Sequence, residues 1–283
     1  MCMGLGCNAV GVTGCRIIHS PRERLVAILT NTFVPCNGRF PTLIALISMF
    51  FTGAAGGLLG GIAGALILTL IIAFAIIITF AASRLLSATV LKGRTSSFIL
   101  EMPPYRKPQI KKVLLRSVLD RTLFVLGRAV MIAVPAGLVI WLIANVRIEG
   151  ISLLSYASDF LDPFGRLMGL DGVILLAFIL GFPANEIVLP IILMSYLSAG
   201  TLVEAGNLSS LHSLLTSHGW TWATAVSMIL FSLMHWPCST TCLTIKKETG
   251  SIRWTAAAVL LPTVFGIVAC IVFTSVVRLL GAA

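Results

Sequence analysis

Long apolar runs separated by short polar segments dominate this chain. The stretches Gly60–Ala82, Arg121–Val146 and Trp254–Leu280 are almost or entirely free of charged residues. A helix needs about 20 predominantly apolar residues to cross a bilayer, and each stretch provides them. The pattern predicts an all-α polytopic membrane protein.

Helix-breaking residues interrupt the apolar pattern at matching places in two halves of the chain. The motif GLGCN at Gly4–Asn8 is followed by Pro35-Cys36, and the motif GFPAN at Gly181–Asn185 is followed by Pro237-Cys238. Broken helices at corresponding positions in two halves are typical of transporters built as inverted repeats, with the binding site near the midplane. We therefore predict an inverted repeat of re-entrant and broken helices.

The distribution of charge orients these elements. The chain has 20 Lys and Arg against 10 Asp and Glu. The segment 92–118 carries basic residues and the single acid Glu101, so the positive-inside rule places it in the cytoplasm. Both flanks of segment 172–198 are poor in Lys and Arg, which predicts a hairpin that enters from outside with Gly181–Glu186 at its tip. The alternative is a full span, which would reverse the orientation of everything after it.

These assignments divide the chain into four parts. Residues 1–52 form a first repeat unit that is incomplete at its start, 53–91 a transmembrane helix, 92–118 a cytoplasmic basic linker, and 119–283 a second repeat unit with flanking transmembrane helices.

Three cysteines stand at the predicted helix breaks, namely Cys7, Cys36 and Cys238. Thiolates are soft ligands that suit transition metals better than magnesium or calcium. A buried cysteine is otherwise a small apolar packing residue. Because two of the three lie in matched Pro-Cys pairs, we favour a place on an ion path. Cys242, four residues beyond Cys238, is a weaker candidate.

Glu186 is an acid inside an apolar stretch, and an intramembrane carboxyl is costly unless it has a function or a partner. It could bind a cation, or it could cap the half-helix that starts at Pro183. Asn8 and Asn185 share one motif position and could bond freed backbone groups or offer an oxygen to a cation. His235 is a possible ligand for iron or zinc.

Several of these segments resemble one known family. GLGCNAVGV and TNTFVPCNGRFP resemble the first Gate region of the ferrous iron transport protein B (FeoB) family, and EMPPYRKP resembles its linker. GFPANEIVLPIILMSYL and HWPCSTTCLTIKKETGSIRW resemble its second Gate region. This sequence departs from the family where it has Ala184-Asn185 before the acid and His235-Trp236 before the second Pro-Cys.

The resemblance implies the membrane permease portion of a ferrous iron transporter in the cytoplasmic membrane, without the family's amino-terminal GTP-binding domain. It implies that Fe²⁺ is the transported ion, with no permanently bound cofactor, and that Cys7, Cys36 and Cys238 take part in its passage. Glu186 matches the acid of the second Gate motif. Implied partners are the lipid bilayer and a GTP-binding domain supplied elsewhere, with a possible homo-oligomer and no nucleic acid.

Two other functions are compatible with the pattern. A Gate-type transporter of a nucleoside or other small organic solute would share the repeat, and a non-transporting membrane scaffold would share the composition. The sequence contains no phosphate-binding loop and no Ser-His-Asp set, so we expect neither enzymatic activity nor a nucleotide site.

Overall fold

The computed structural model describes residues 2–53, 58–91, 109–111, 115, 123–148, 151–198, 201–202 and 208–281. In this part of the chain the helices are α1 (Cys2–Gly6), α2 (Asn8–Gly14), α3 (Pro21–Thr30), α4 (Phe40–Phe50), α5 (Leu58–Ala88), α6 (Phe124–Asn145), α7 (Leu153–Leu167), α8 (Gly172–Leu180), α9 (Val188–Tyr196), α10 (Leu208–Ser217), α11 (Trp222–Met234), α12 (Ser239–Thr249) and α13 (Ile252–Leu279). Short 3₁₀ turns cover Cys15–Ile17, Asn31–Phe33, Asn37–Arg39 and Asn185–Ile187.

Four helical segments in the described part are long and apolar enough to cross a membrane. They are Pro21–Phe50, Leu58–Ala88, Trp222–Thr249 and Ile252–Leu279. The first and third contain the Pro-Cys breaks, so each is one span made of two helices. The predicted all-α polytopic membrane architecture is confirmed, with one small addition. Strands β1 (Arg147–Ile148) and β2 (Ile151–Ser152) form a short antiparallel ladder.

Segment 172–198 folds as a hairpin of two antiparallel helices, α8 and α9. Each arm has nine residues, which is about 14 Å of helix and half of a hydrocarbon core of about 30 Å. The feet of the two arms meet where the Tyr196 hydroxyl donates to the Asp171 carboxylate. Trp220 Nε1 donates to the same hydroxyl at 2.8 Å. The two arms therefore fold back on each other as the predicted hairpin requires, and entry from outside stays a prediction.

Helix α7 approaches this hairpin at a sharp angle, because the axis bends by 109° between α7 and α8. Glycine makes the crossing possible. A Cβ on Gly172 would lie 1.9 Å from the Ser158 carbonyl oxygen, so any larger residue would push the two helices apart. One face of α7 remains apolar and exposed, including Phe160 and Phe164. An amphipathic helix of this kind suits the membrane interface.

The first unit also has a pair of packed helices joined at a break. Helices α1 and α2 pack together, and the Cβ position of Gly14 lies 3.0 Å from Met3 Sδ. The break at Cys7 has φ −153° and ψ 125°, and the corresponding Ala184 has φ −151° and ψ 123°. The matched Cys36 and Cys238 are both extended. The two tips therefore share one backbone conformation.

The two units point in opposite directions. Arg16, at the foot of the first hairpin, forms a two-bond ion pair with Glu248 at the end of α12. Phe50, at the end of α4, stacks on Trp220 beside the foot of the second hairpin. Each broken helix thus ends beside the other unit's hairpin foot. The basic linker lies mostly outside the described residues, and the four-part division stays a prediction.

The orientation can be tested with single cysteines introduced into a cysteine-free chain. Asp159→Cys and Ser209→Cys should react with an impermeant maleimide added outside intact cells. Lys247→Cys should react only after the membrane is permeabilised. Labelling that places Asp159 and Ser209 on opposite sides would contradict the hairpin, and labelling of Lys247 alone would reverse the orientation.

Candidate functional site

The two breaks come together in space. The 3₁₀ turn Asn37–Arg39 of the first unit contacts the turn Asn185–Ile187 of the second. Glu186 Oε2 lies 3.2 Å from the Cβ position of Gly38, and Cys36 Sγ lies 4.0 Å from the same point. A carboxylate from one unit and a thiol from the other therefore both lie against Gly38.

Asn185 links the first break to the second. Its Nδ2 lies 3.9 Å from Cys36 Sγ, and its Oδ1 lies 3.3 Å from His235 Nε2. His235 is 1% exposed, its Nδ1 lies 2.9 Å from the Ser232 carbonyl oxygen, and its ring packs on Phe178. His235 thus lies behind Asn185 and holds its amide, rather than facing the open side of the tips.

The other predicted cysteines occupy different environments. Cys238 is half-buried, and its Sγ lies 3.3 Å from Thr241 Oγ1. Cys242 is buried and donates to the Pro237 carbonyl at 3.5 Å. Cys238 therefore interacts within its own helix, while Cys242 bonds the backbone of the break itself.

The Asn8 side chain bonds backbone groups near the first break, which is one of the two roles predicted for it. It is 2% exposed, and with its amide nitrogen turned toward the neighbouring carbonyls it donates to Val34 O and Gly4 O, both at 3.2 Å. The side chain fastens the tip of the first hairpin to the first break. Asn8 and Asn185 share a motif position but have different partners.

Asn31 is a site residue that the sequence reasoning missed. It is fully buried, and its Nδ2 donates to the Asn8 carbonyl at 3.1 Å. Its Oδ1 would lie 2.6 Å from a Cβ on either Gly4 or Gly11. Gly4 and Gly11 are therefore needed because the amide of Asn31 fills the space where their side chains would be.

The Arg39 side chain caps backbone carbonyls of the second unit. Its guanidinium is 1% exposed and donates to Leu233 O at 2.8 Å, His235 O at 3.3 Å and Trp236 O at 3.5 Å. These carbonyls belong to the end of α11, where a helix leaves acceptors without partners and carries partial negative charge. Within the described residues Arg39 has no carboxylate in ion-pair range. It is a cap supplied by the opposite unit.

Glu186 is exposed at the tip. In the described part of the chain its carboxylate has neither a hydrogen bond nor an ion pair, so the predicted alternative of a helix cap finds no supporting contact. Its position in the first turn of a short helix is favourable for a negative charge. The carboxylate is thus free to meet a cation.

The described side chains do not form a closed metal centre. No group of three His, Cys, Asp or Glu residues among them could hold a metal ion. Glu186 and Cys36, which come from opposite units, both lie against Gly38.

Two family models match the chain. "Ferrous iron transport protein B C terminus" matches residues 68–120, and "Nucleoside recognition", the Gate family, matches residues 126–252. No solved structure matches.

Curated relatives align along almost the whole chain. An Fe(2+) transporter FeoB of Staphylococcus aureus is 30% identical over 98% of this chain and 40% of its own length. Those of Synechocystis and Methanocaldococcus jannaschii are 29% and 27% identical, over 93% and 99% of this chain. The chain spans about 40% of the length of these relatives. The resemblance predicted from the motifs is confirmed, and the chain is a relative of the carboxy-terminal membrane portion of ferrous iron transport protein B.

Proposed function

We propose that this chain is the membrane permease portion of a ferrous iron transporter and that Fe²⁺ passes between the two helix breaks. The observation that carries the proposal is the pairing of Glu186 and Cys36 around Gly38, since each unit supplies one of them. The relatives that align along almost the whole chain are named Fe(2+) transporters. We further propose that the protein lies in the cytoplasmic membrane.

The donor types fit a divalent transition metal in transit. The Glu186 carboxylate offsets the charge of the ion, and the Cys36 and Cys238 thiols offer soft sulfur, which favours Fe²⁺ over Mg²⁺ or Ca²⁺. Conduction requires sites that bind strongly enough to admit an ion and weakly enough to release it. An incomplete ligand set at the tips meets that requirement.

The relatives are longer than this chain, and the family has a GTP-binding domain. We propose that such a domain acts with this chain and controls passage, while the chain itself has no catalytic role. Uptake should therefore be measured in cells that lack their own ferrous iron uptake, with and without a separately expressed GTP-binding domain.

Cys36→Ser and Cys238→Ser test the ion path. Serine is close in size to cysteine, so packing changes little while the soft ligand is lost. We expect each substitution to lower Fe²⁺ uptake by about tenfold, the factor that corresponds to roughly 1.4 kcal/mol of lost binding. Protein levels in the membrane should stay near those of the unsubstituted chain.

Cys270→Ser is the matched control for these two variants. Cys270 is also buried, but its thiol donates to the Ser227 carbonyl at 3.4 Å, on the α11–α13 interface. Its substitution should leave uptake unchanged. If uptake survives loss of both Cys36 and Cys238, or falls only as protein level falls, the cysteines are packing residues.

A second candidate, nucleoside transport, is favoured by the description of the family model that matches residues 126–252. The second break also has several aromatic rings, since Phe178, Phe231 and Trp236 surround His235. These rings pack on one another, and Phe178 and Phe231 are buried. Saturable uridine or adenosine uptake by the chain, blocked by excess nucleoside and indifferent to Fe²⁺, would favour this candidate over iron.

A further inference from the structure

A groove of about 310 Å³ lies on the surface between α7, α8, α11 and α13. Phe164, Ile179 and Ile271 form its walls, and Phe231 and Trp236 form its inner end. Every lining residue is apolar. Phe164, Ile179 and Ile271 are also well exposed, so the groove is open on the side where a membrane-spanning protein meets lipid.

The groove runs from one end of α7 to the second helix break. At its outer end Leu167 and Met168 follow directly after Arg166. At its inner end Trp236 precedes Pro237 and Cys238. The rings of Phe231 and Trp236 also pack against His235, with centroid distances of 6.0 and 5.9 Å. Whatever fills the groove therefore touches the aromatic residues behind the second break.

Two arginines lie at the outer end. Arg278 Nη2 donates to the Arg166 carbonyl oxygen at 2.5 Å, which brings the end of α13 to the end of α7. Arg166 forms an exposed ion pair with Asp162 at 2.6 Å. Arg278 is exposed, and in the described part of the chain no carboxylate lies in ion-pair range of it. An apolar slot with the exposed Arg278 guanidinium at one end complements an amphiphile with an anionic head.

We propose that an anionic phospholipid binds at this place. One acyl chain occupies the groove as far as Trp236, and the phosphate accepts hydrogen bonds from Arg278 and Arg166. Guanidinium groups bind phosphate oxygens in paired hydrogen bonds, which gives the headgroup its selectivity. The lipid is then a structural ligand of the second break, because its chain supports the ring cluster around His235. This inference does not depend on which solute the protein carries.

Trp236 offers a direct reporter. The full chain with Trp236 as its only tryptophan, the others replaced by Phe, is placed in phosphatidylcholine vesicles that contain lipid brominated midway along its acyl chains. Brominated phosphatidylglycerol should quench Trp236 at about fivefold lower mole fraction than brominated phosphatidylcholine, since two basic side chains favour the anionic head. A chain with only Trp141, which is exposed on α6, should show equal quenching by both lipids.

Arg166→Gln combined with Arg278→Gln should remove the preference at Trp236 while the quenching by phosphatidylcholine stays the same. No quenching of Trp236 would overturn occupation of the groove by lipid. Equal quenching by both lipids before the substitutions, or a preference that survives them, would overturn the anionic site.

A second measurement keeps the test valid if the single-tryptophan chain does not fold. Native mass spectrometry of the unsubstituted chain should show retained phosphatidylglycerol, and the double arginine variant should lose it. Retention equal in the two proteins would overturn the proposal by itself.

Discussion

Glu186→Gln is expected to lower Fe²⁺ uptake by about 10- to 100-fold, while the protein stays folded and inserted. Losses of this size are typical when a residue at a metal site is substituted. The substitution keeps size and hydrogen-bonding capacity but removes the charge that would meet the ion beside Cys36. In the described structure this carboxylate has no partner of its own. Uptake by cells that express the chain with a GTP-binding domain measures the effect.

Glu186→Ala separates the function from a structural role. Because the side chain is exposed and makes no hydrogen bond in the described part of the chain, its removal should change the free energy of unfolding by no more than about 0.5 kcal/mol. Asp159→Asn, an exposed acid on α7, is the control and should leave uptake unchanged. Normal uptake by Glu186→Gln together with lost stability in Glu186→Ala would make Glu186 a helix cap and remove the site at the second motif.

Arg39→Met is expected to give the largest loss of stability in the chain, about 3 kcal/mol. Hydrogen bonds from a charged donor contribute about 1.5–3 kcal/mol each, and the substitution leaves three carbonyls at a helix end within the membrane without their donor. The removal of a buried charge offsets part of this loss. Unfolding in detergent, followed by the circular dichroism of the helices, measures the difference.

The stability of Arg39→Lys should lie between that of the unsubstituted chain and that of Arg39→Met. An ammonium keeps the charge, but it cannot donate to three carbonyls as the planar guanidinium does. Arg253→Met removes an exposed arginine at the start of α13 and serves as the control. Stability equal to that of the unsubstituted chain in Arg39→Met would show that the two units are not joined through this side chain.

The helix breaks and the hairpin could be predicted from the sequence, because they depend on residues that are close together along the chain. Glycine and proline weaken an apolar helix, so clusters of them predicted the breaks at Cys7, Pro35, Gly181 and Pro237. Isolated prolines such as Pro135 and Pro262 nevertheless lie inside helices. The hairpin followed from charge on its two flanks. The β ladder at Arg147–Ser152 was not predicted, since two-residue strands leave no periodic pattern.

Contacts between the units could not be predicted in this way. Arg39 lies near a break, and either an acid or a carbonyl could have met it. The outcome depends on Leu233, whose carbonyl is 194 residues further along the chain. Asn31 was missed for the same reason, since nothing in TNTF reveals that its amide fills the space beside Gly4 and Gly11. His235 was considered as a ligand, but its burial behind Asn185 appears only when the two breaks meet.

The most direct test of the central claim is metal protection of the two break cysteines. A variant that keeps only the cysteines Cys36 and Cys238 is prepared in membranes. It is treated with a maleimide under anaerobic conditions, so that the iron stays as Fe²⁺. Fe²⁺ should slow the modification of both thiols, Mg²⁺ should not, and Glu186→Gln should weaken the protection by Fe²⁺. Modification rates that Fe²⁺ leaves unchanged, or that Mg²⁺ lowers equally, would contradict an iron path between the two breaks.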